Sequence, residues 1–312
     1  MKRIIEYDFL KGVAIMLVIM IHLVFLSQTY PRFQRFLLLF STPVFFILSG
    51  CLAHVDRPWK TVGRKVLWLA IPYGIMEGGY ILMASILPVR EHIDHLDMEG
   101  FVRHLTISPL GPYWYLQTLI VCYVLYYIIQ LGWNHRRDSI LWLLGGVLLL
   151  LVVGAGHIIA FYSLFYFAAG IALGKTRRLL SFFAPSKWHI GISGLALALY
   201  LWADVSFGFG FSILLTYFMT CLLLGICGIL PDTLRRLVAF IGRNTLPILL
   251  FSPLFTLLSK QWVSCFAFDP TVTAFTLISV AFTVCGSLAM AWVMDRLKVS
   301  RFFCGKDEFL CR

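Results

Sequence analysis

Apolar positions in this chain fall in long, nearly unbroken runs, without the period-2 or three-and-four spacing of elements with one wet face. Ten runs come near the ~20 residues a helix needs to cross the hydrocarbon core of a bilayer. They cover 10–28, 36–54, 66–88, 112–132, 139–155, 158–174, 188–204, 209–230, 244–262 and 271–294. In lipid the backbone must satisfy its own polar groups, so such runs predict helices and an all-α integral membrane protein of about ten transmembrane helices. Gly154-Ala155-Gly156-His157 alone separates the fifth run from the sixth. The longest polar stretch is 89–111, VREHIDHLDMEGFVRHLTISPLG, with four acids and three histidines. A connection of that length predicts either a working loop or a disordered one. No internal repeat supports a transporter built from two halves.

Composition agrees with the pattern. Of 312 residues, 60% are hydrophobic and 13% charged, against roughly 45–50% and 25% in soluble domains. No polar segment is long enough for a separate soluble unit, so residues 1–312 read as one transmembrane domain. The net charge of +11 would suit a polyanion on a soluble surface. Here the cations sit in short clusters between apolar runs, which is how topology is written. With the N-terminus in the cytoplasm, 21 basic residues fall on the cytoplasmic side and 5 on the outer side. That split predicts that both termini are cytoplasmic and that no nucleic acid is bound. The expected location is a bacterial inner membrane, with membrane lipids as neighbours. The eight cysteines show neither a CxxC pair nor zinc spacing and read as reduced apolar residues.

Ionisable groups inside the hydrocarbon region are costly and mark function. Lys11 and His22, on the first run, are eleven residues apart. Eleven steps of about 100° return nearly to the starting direction, so both share one helix face, roughly 16 Å apart in depth. Asp8, three residues before Lys11, is placed to pair with it. Glu77 lies twelve residues beyond Lys65 on the third run, at a depth of about 16–18 Å that matches His22. A carboxylate beside the imidazole would orient it as a general base. A plainer account has Lys11 reaching the interface and His22 bonding a neighbouring helix. His92, His95 and His104 have metal-ligand chemistry but read as a solvated loop, and no metal is expected. His157 reads as interfacial, and Asp204 and Asp269 as outer-loop residues. Tyr113, Trp114, Tyr115, Trp188 and Trp202 read as interfacial belts.

The opening YDFLKGVAIMLVIMIH resembles the N-terminal signature of the acyltransferase-3 family of bacterial membrane acyltransferases, especially its fucose-acetylase-like members. Asp8, Lys11, Gly12 and His22 occupy the signature positions. PVFFILSG ending at Ser49-Gly50, IPY at 71–73, YWYLQTL at 113–119, FYFAAGIALGK at 165–175 and IGRNTLPILL at 241–250 follow in the family's order. Two positions depart from it. The family usually has arginine where Lys11 stands, and many members carry a histidine near Ser252.

The resemblance implies a membrane O-acyltransferase. It would move an acetyl or short acyl group from cytoplasmic acetyl-CoA (acyl-CoA) to a hydroxyl of a cell-surface or lipid-linked carbohydrate, as in polysaccharide modification. His22 would be general base or transient acyl carrier, with Glu77 beside it. Lys11, Arg64 and Lys65 would meet the donor's phosphates, and Trp114 and Asn244 the substrate. The 89–111 loop leading into Trp114 is the candidate acceptor site. The alternative is a proton- or solute-transporting module with no acyl-transfer chemistry, using the same polar stripe.

Overall fold

The computed structural model describes residues 4–53, 58–86, 92–135, 161–176, 179–202 and 208–311. The fifth apolar run, Arg57, His157, Asp204 and the side chain of Trp202 lie outside them. Among the described residues the chain is helical throughout, with no strand. Its helices are α1 (Ile5–His22), α2 (Val24–Thr29), α3 (Pro31–Cys51), α4 (Trp59–Ile86), α5 (Met98–Thr106), α6 (Trp114–His135) and α7 (Phe161–Thr176). They continue with α8 (Leu179–Phe182), α9 (Lys187–Trp202), α10 (Phe209–Ile229), α11 (Asp232–Arg243), α12 (Thr245–Ser259), α13 (Thr273–Arg296) and α14 (Ser300–Cys304).

Among the described residues six helical segments are long and apolar enough to cross a membrane: Pro31–Cys51, Trp59–Ile86, Gly111–Ile129, Phe209–Ile229, Thr245–Phe266 and Thr273–Arg296. Helix α1 carries Glu6, Asp8 and Lys11 and is not among them, although Phe9, Leu10, Ala14, Ile15 and Ile19 are buried at the centre of the bundle. The first apolar run is not one continuous helix. Leu23 adopts extended backbone (φ −74°, ψ 107°) and divides α1 from α2 directly after His22.

Helix α13 has the reverse of a soluble helix's polarity. Thr276, Ser279, Thr283 and Ser287 point inward, while Leu277, Ile278 and Trp292 are exposed. Between helices in lipid, small and hydroxyl residues permit close packing, and large apolar residues face the acyl chains. Glycines set the closest crossings. A Cβ on Gly12 would sit 2.1 Å from the Val238 carbonyl oxygen, and one on Gly242 1.7 Å from that of Asp8. These contacts lock α1 to α11. Gly50, Gly170 and Gly174 do the same between α3 and α7. Several segments carrying the family resemblance are therefore helix crossings.

Helix-internal prolines free carbonyl groups that lipid cannot satisfy. Pro43 leaves the Leu39 carbonyl without its helical donor, and Ser212 Oγ of α10 donates to it at 2.8 Å. Pro253 does the same to Leu249, whose oxygen accepts from Ser252 Oγ at 3.2 Å.

The described part of the polar stretch after α4, from residue 92 onward, contains α5, capped by the Asp97 carboxylate accepting from Gly100 N–H at 2.7 Å. Three side chains hold it down. Tyr73 Oη donates to Leu105 O at 2.8 Å, Gln117 Nε2 donates to Thr106 O at 2.6 Å, and Leu110 N–H donates to Glu77 Oε1 at 2.6 Å.

Candidate active site

Helix α1 presents Lys11, Ile15, Val18 and His22 along one side of a cavity of about 280 Å³. The spacing of four, three and four residues is one continuous helical face. Lys11 and His22 thus share a wall, as their separation of eleven predicts. Helix α3 adds Thr42, Phe45 and Ser49, α4 adds Lys65 and Leu69, and α6 adds Trp114, Tyr115, Leu119 and Tyr123. Ser49 Oγ and Tyr115 Oη share a hydrogen bond of 2.9 Å. Lys65 Nζ donates to Tyr123 Oη at 2.5 Å and lies 4.3 Å from that ring's centroid. The cavity is therefore cationic at its Lys11–Lys65 end and largely apolar toward His22.

A second cavity, of about 360 Å³, begins where the first ends. Ile21, His22, Leu38 and Pro112 belong to both walls. The second wall is more polar, with Ser27, Gln34, Tyr80, Ser252, Thr256 and Lys260. Ser252, the position near which the family resemblance leads to the expectation of a histidine, faces this second cavity. A third, lateral cavity of about 380 Å³ meets the first at Leu38, Thr42 and Trp114.

The helix break at Leu23 positions His22. Ending a helix leaves carbonyls without partners, and Gln34 Nε2 of α3 donates to Ile21 O at 2.9 Å.

The other expected site residues are placed as follows. Glu77 is fully buried and lies on neither of the two cavity walls that contain His22, and its Oε1 anchors Leu110. Arg64 is exposed and off both walls. Trp114 lines the first and lateral cavities, and not the second. Asn244, 1% exposed, joins α11 to α12. Its Nδ2 donates to Phe240 O at 2.9 Å and Cys311 O at 3.1 Å, and its Oδ1 accepts from Cys311 N–H at 2.8 Å. Asp8, expected beside Lys11, meets Arg243 of α11, with Nε 3.6 Å from its Oδ2.

The belt reading fails for three aromatics. Tyr113 is buried and donates to Leu250 O at 2.9 Å, while Trp114 and Tyr115 line the first cavity. Trp188 is 80% exposed, as a belt residue would be. His92 Nδ1 lies 2.8 Å from Ala84 O and His104 Nδ1 2.9 Å from Ser108 O. Among the described residues no group of three potential ligands comes together for a metal.

Apolar helices with hydroxyl-lined inner faces, around a cavity bearing a histidine and two lysines, define a multi-pass membrane protein. The chain belongs to the acyltransferase-3 family: the family model described as an acyltransferase domain matches residues 4–292. No curated protein and no solved structure matches it. The protein is an acyl-transferring membrane enzyme.

Proposed function

We propose that this enzyme takes an acetyl or short acyl group from cytoplasmic acyl-CoA and passes it, at His22, to a hydroxyl of a cell-surface or lipid-linked carbohydrate. The observation that carries this reading is the position of His22 on the wall common to two cavities of unlike lining. The first has lysines for an anionic donor at one end and apolar walls for the thioester arm. The second offers hydroxyls, an amide and Lys260 to a hydrogen-bonding acceptor.

His22 removes the acceptor hydroxyl's proton as the oxygen attacks the thioester carbonyl, or first carries the acyl group on a ring nitrogen and then yields it. In both routes the thiol of coenzyme A leaves and the acyl group ends on oxygen. Trp114 borders the donor side, and Glu77 acts at a distance by holding the connection that ends at Pro112. The reading includes ten spans, both termini in the cytoplasm of a bacterial cell and a single domain over residues 1–312, supported by the 21-to-5 distribution of basic residues.

The test is acetyl-CoA binding and turnover by purified protein in nanodiscs, comparing wild type with His22→Ala and Lys11→Ala. The expected result is turnover by wild type, binding without turnover by His22→Ala, and weakened binding by Lys11→Ala. Full acyl transfer by His22→Ala would overturn the assignment. Proton-coupled solute uptake into vesicles, with no acetyl-CoA turnover, would replace it with transport through the same cavities.

A further inference from the structure

The family match ends at residue 292, yet the chain beyond it is firmly built in. Asp295 Oδ1 accepts from Ser300 Oγ at 2.5 Å and from Phe309 N–H at 2.6 Å, and Oδ2 accepts from Leu310 N–H at 3.1 Å. The Asn244 amide grips Cys311 from both sides. Phe303, Cys304 and Phe309 are buried in the main core. This is strong anchorage for a stretch lying outside the matched family domain.

The tail turns at Gly305, whose φ of +68° is left-handed. A Cβ there would sit 2.0 Å from the Trp68 ring. Only glycine meets both demands without strain. The close approach sets the tail on α4 one turn from Lys65, with Lys306 as the next residue, exposed and followed by exposed Asp307 and Glu308. Both Lys11 and Lys306 act electrostatically on Lys65. Like charges that act on one another repel. The Asp295 and Asn244 latches oppose that repulsion, and a bound polyanion would relieve it.

We propose that the C-terminal tail is part of the donor site, with Lys306 joining Lys11 and Lys65 as a three-cation anchor for the phosphate groups of a coenzyme A-type thioester. The inference rests on the reading of the donor as acyl-CoA. It adds a residue outside the matched domain and a reason for the tail's latches. The cations hold the nucleotide end outside the cavity while the pantetheine arm enters between α1, α3, α4 and α6.

The experiment measures affinity of the full chain in nanodiscs for acetyl-CoA, for inorganic pyrophosphate and for the phosphate-free thioester S-acetyl-N-acetylcysteamine. The variants are Lys306→Ala, Lys306→Glu, Gly305→Val and, as a tail cation outside the proposed anchor, Arg301→Ala. Lys306→Ala should weaken acetyl-CoA and pyrophosphate binding about tenfold, and Lys306→Glu should weaken it further. Gly305→Val should show the same loss by moving the tail with the charge intact. Arg301→Ala and the phosphate-free thioester should show no change. Unaltered acetyl-CoA affinity in both Lys306 variants would overturn the proposal, as would a wild-type protein that binds neither anion. Pyrophosphate binding that depends on Lys306, without acetyl-CoA binding, would uphold the anion site and overturn only the acyl-CoA reading.

Discussion

Gln34 and Ile21 are joined across two helices by a hydrogen bond from Nε2 to the carbonyl oxygen, 2.9 Å long, immediately beside His22. The bond satisfies a group that the break at Leu23 releases and fixes where α1 ends. Gln34→Leu removes the donor at similar bulk. The expected cost is about 1 kcal/mol of stability, since the site is part-buried. The larger effect should be a fall in acyl turnover with acetyl-CoA affinity unchanged. Equal losses in both would show that Gln34 supports the whole cavity and not the histidine.

Glu77 gives a second test. Its Oε1 holds Leu110, and the Gln side chain offers an acceptor oxygen in the same place. Glu77→Gln should keep the connection closed and most of the activity, whereas Glu77→Ala should release it. Limited proteolysis between residues 92 and 110 reports the difference. Loss of activity in Glu77→Gln with the connection still protected would instead point to a need for the carboxylate's charge.

At the α1–α11 crossing, Gly242→Ala would drive a methyl into the Asp8 carbonyl, 1.7 Å away. Backbone cannot yield there as a flexible side chain would. A loss of about 1–3 kcal/mol is expected, accompanied by disruption of the Asp8–Arg243 pair. Gly63→Ala on α4 meets nothing within 4 Å and should raise stability by about 0.5–1 kcal/mol through helix propensity. Melting of the two variants in one detergent separates the cases.

Asp269 precedes α13. The Thr271 hydroxyl donates to Oδ1 at 2.6 Å, and the Ala274 N–H donates to Oδ2 at 2.6 Å. These bonds, the Thr271 hydroxyl foremost, hold its carboxyl below the usual range. A depressed folded-state value means that the stabilisation is present above the ordinary aspartate value of about 3.9 and is lost as pH falls through the folded value. Wild type should lose melting temperature on acidification below about pH 4, and Asp269→Asn should lose less over the same window. Identical acid profiles would remove Asp269 from the account.

The apolar runs made the helical, membrane-embedded character legible, and the eleven-residue interval placed Lys11 and His22 on one cavity wall. Periodicity could not show the break at Leu23, because LVFLSQT continues the apolar run and its only cue lies across the bundle in Gln34. It also passed over α11, where DTLRRLVAFIGR looked like a basic connection although it packs as a helix on Gly12. Depth reckoning set Glu77 level with His22, but depth is one coordinate of three, and the carboxylate serves Leu110. Tyr115 and Tyr123 sat in apolar sequence with nothing to distinguish an inward ring from a lipid-facing one. The resemblance of IGRNTLPILL puts Asn244 at the substrate, and its contact with the tail was not legible because Cys311, which its amide bonds, is 67 residues away in sequence.

The donor and acceptor sides of the proposed chamber have few wall residues in common, and this bears on how such an enzyme diversifies. Substitutions at Tyr80, Thr256 or Lys260 can reshape acceptor choice without touching the groove where the thioester lies. Changes at Ser49, Leu69 or Tyr123 can alter acyl length without affecting the sugar. Besides His22 itself, Ile21, Leu38 and Pro112 are the exceptions, because each touches both. Drift at those three positions would register on both substrates at once, so a lineage acquiring a new acceptor has the least freedom there.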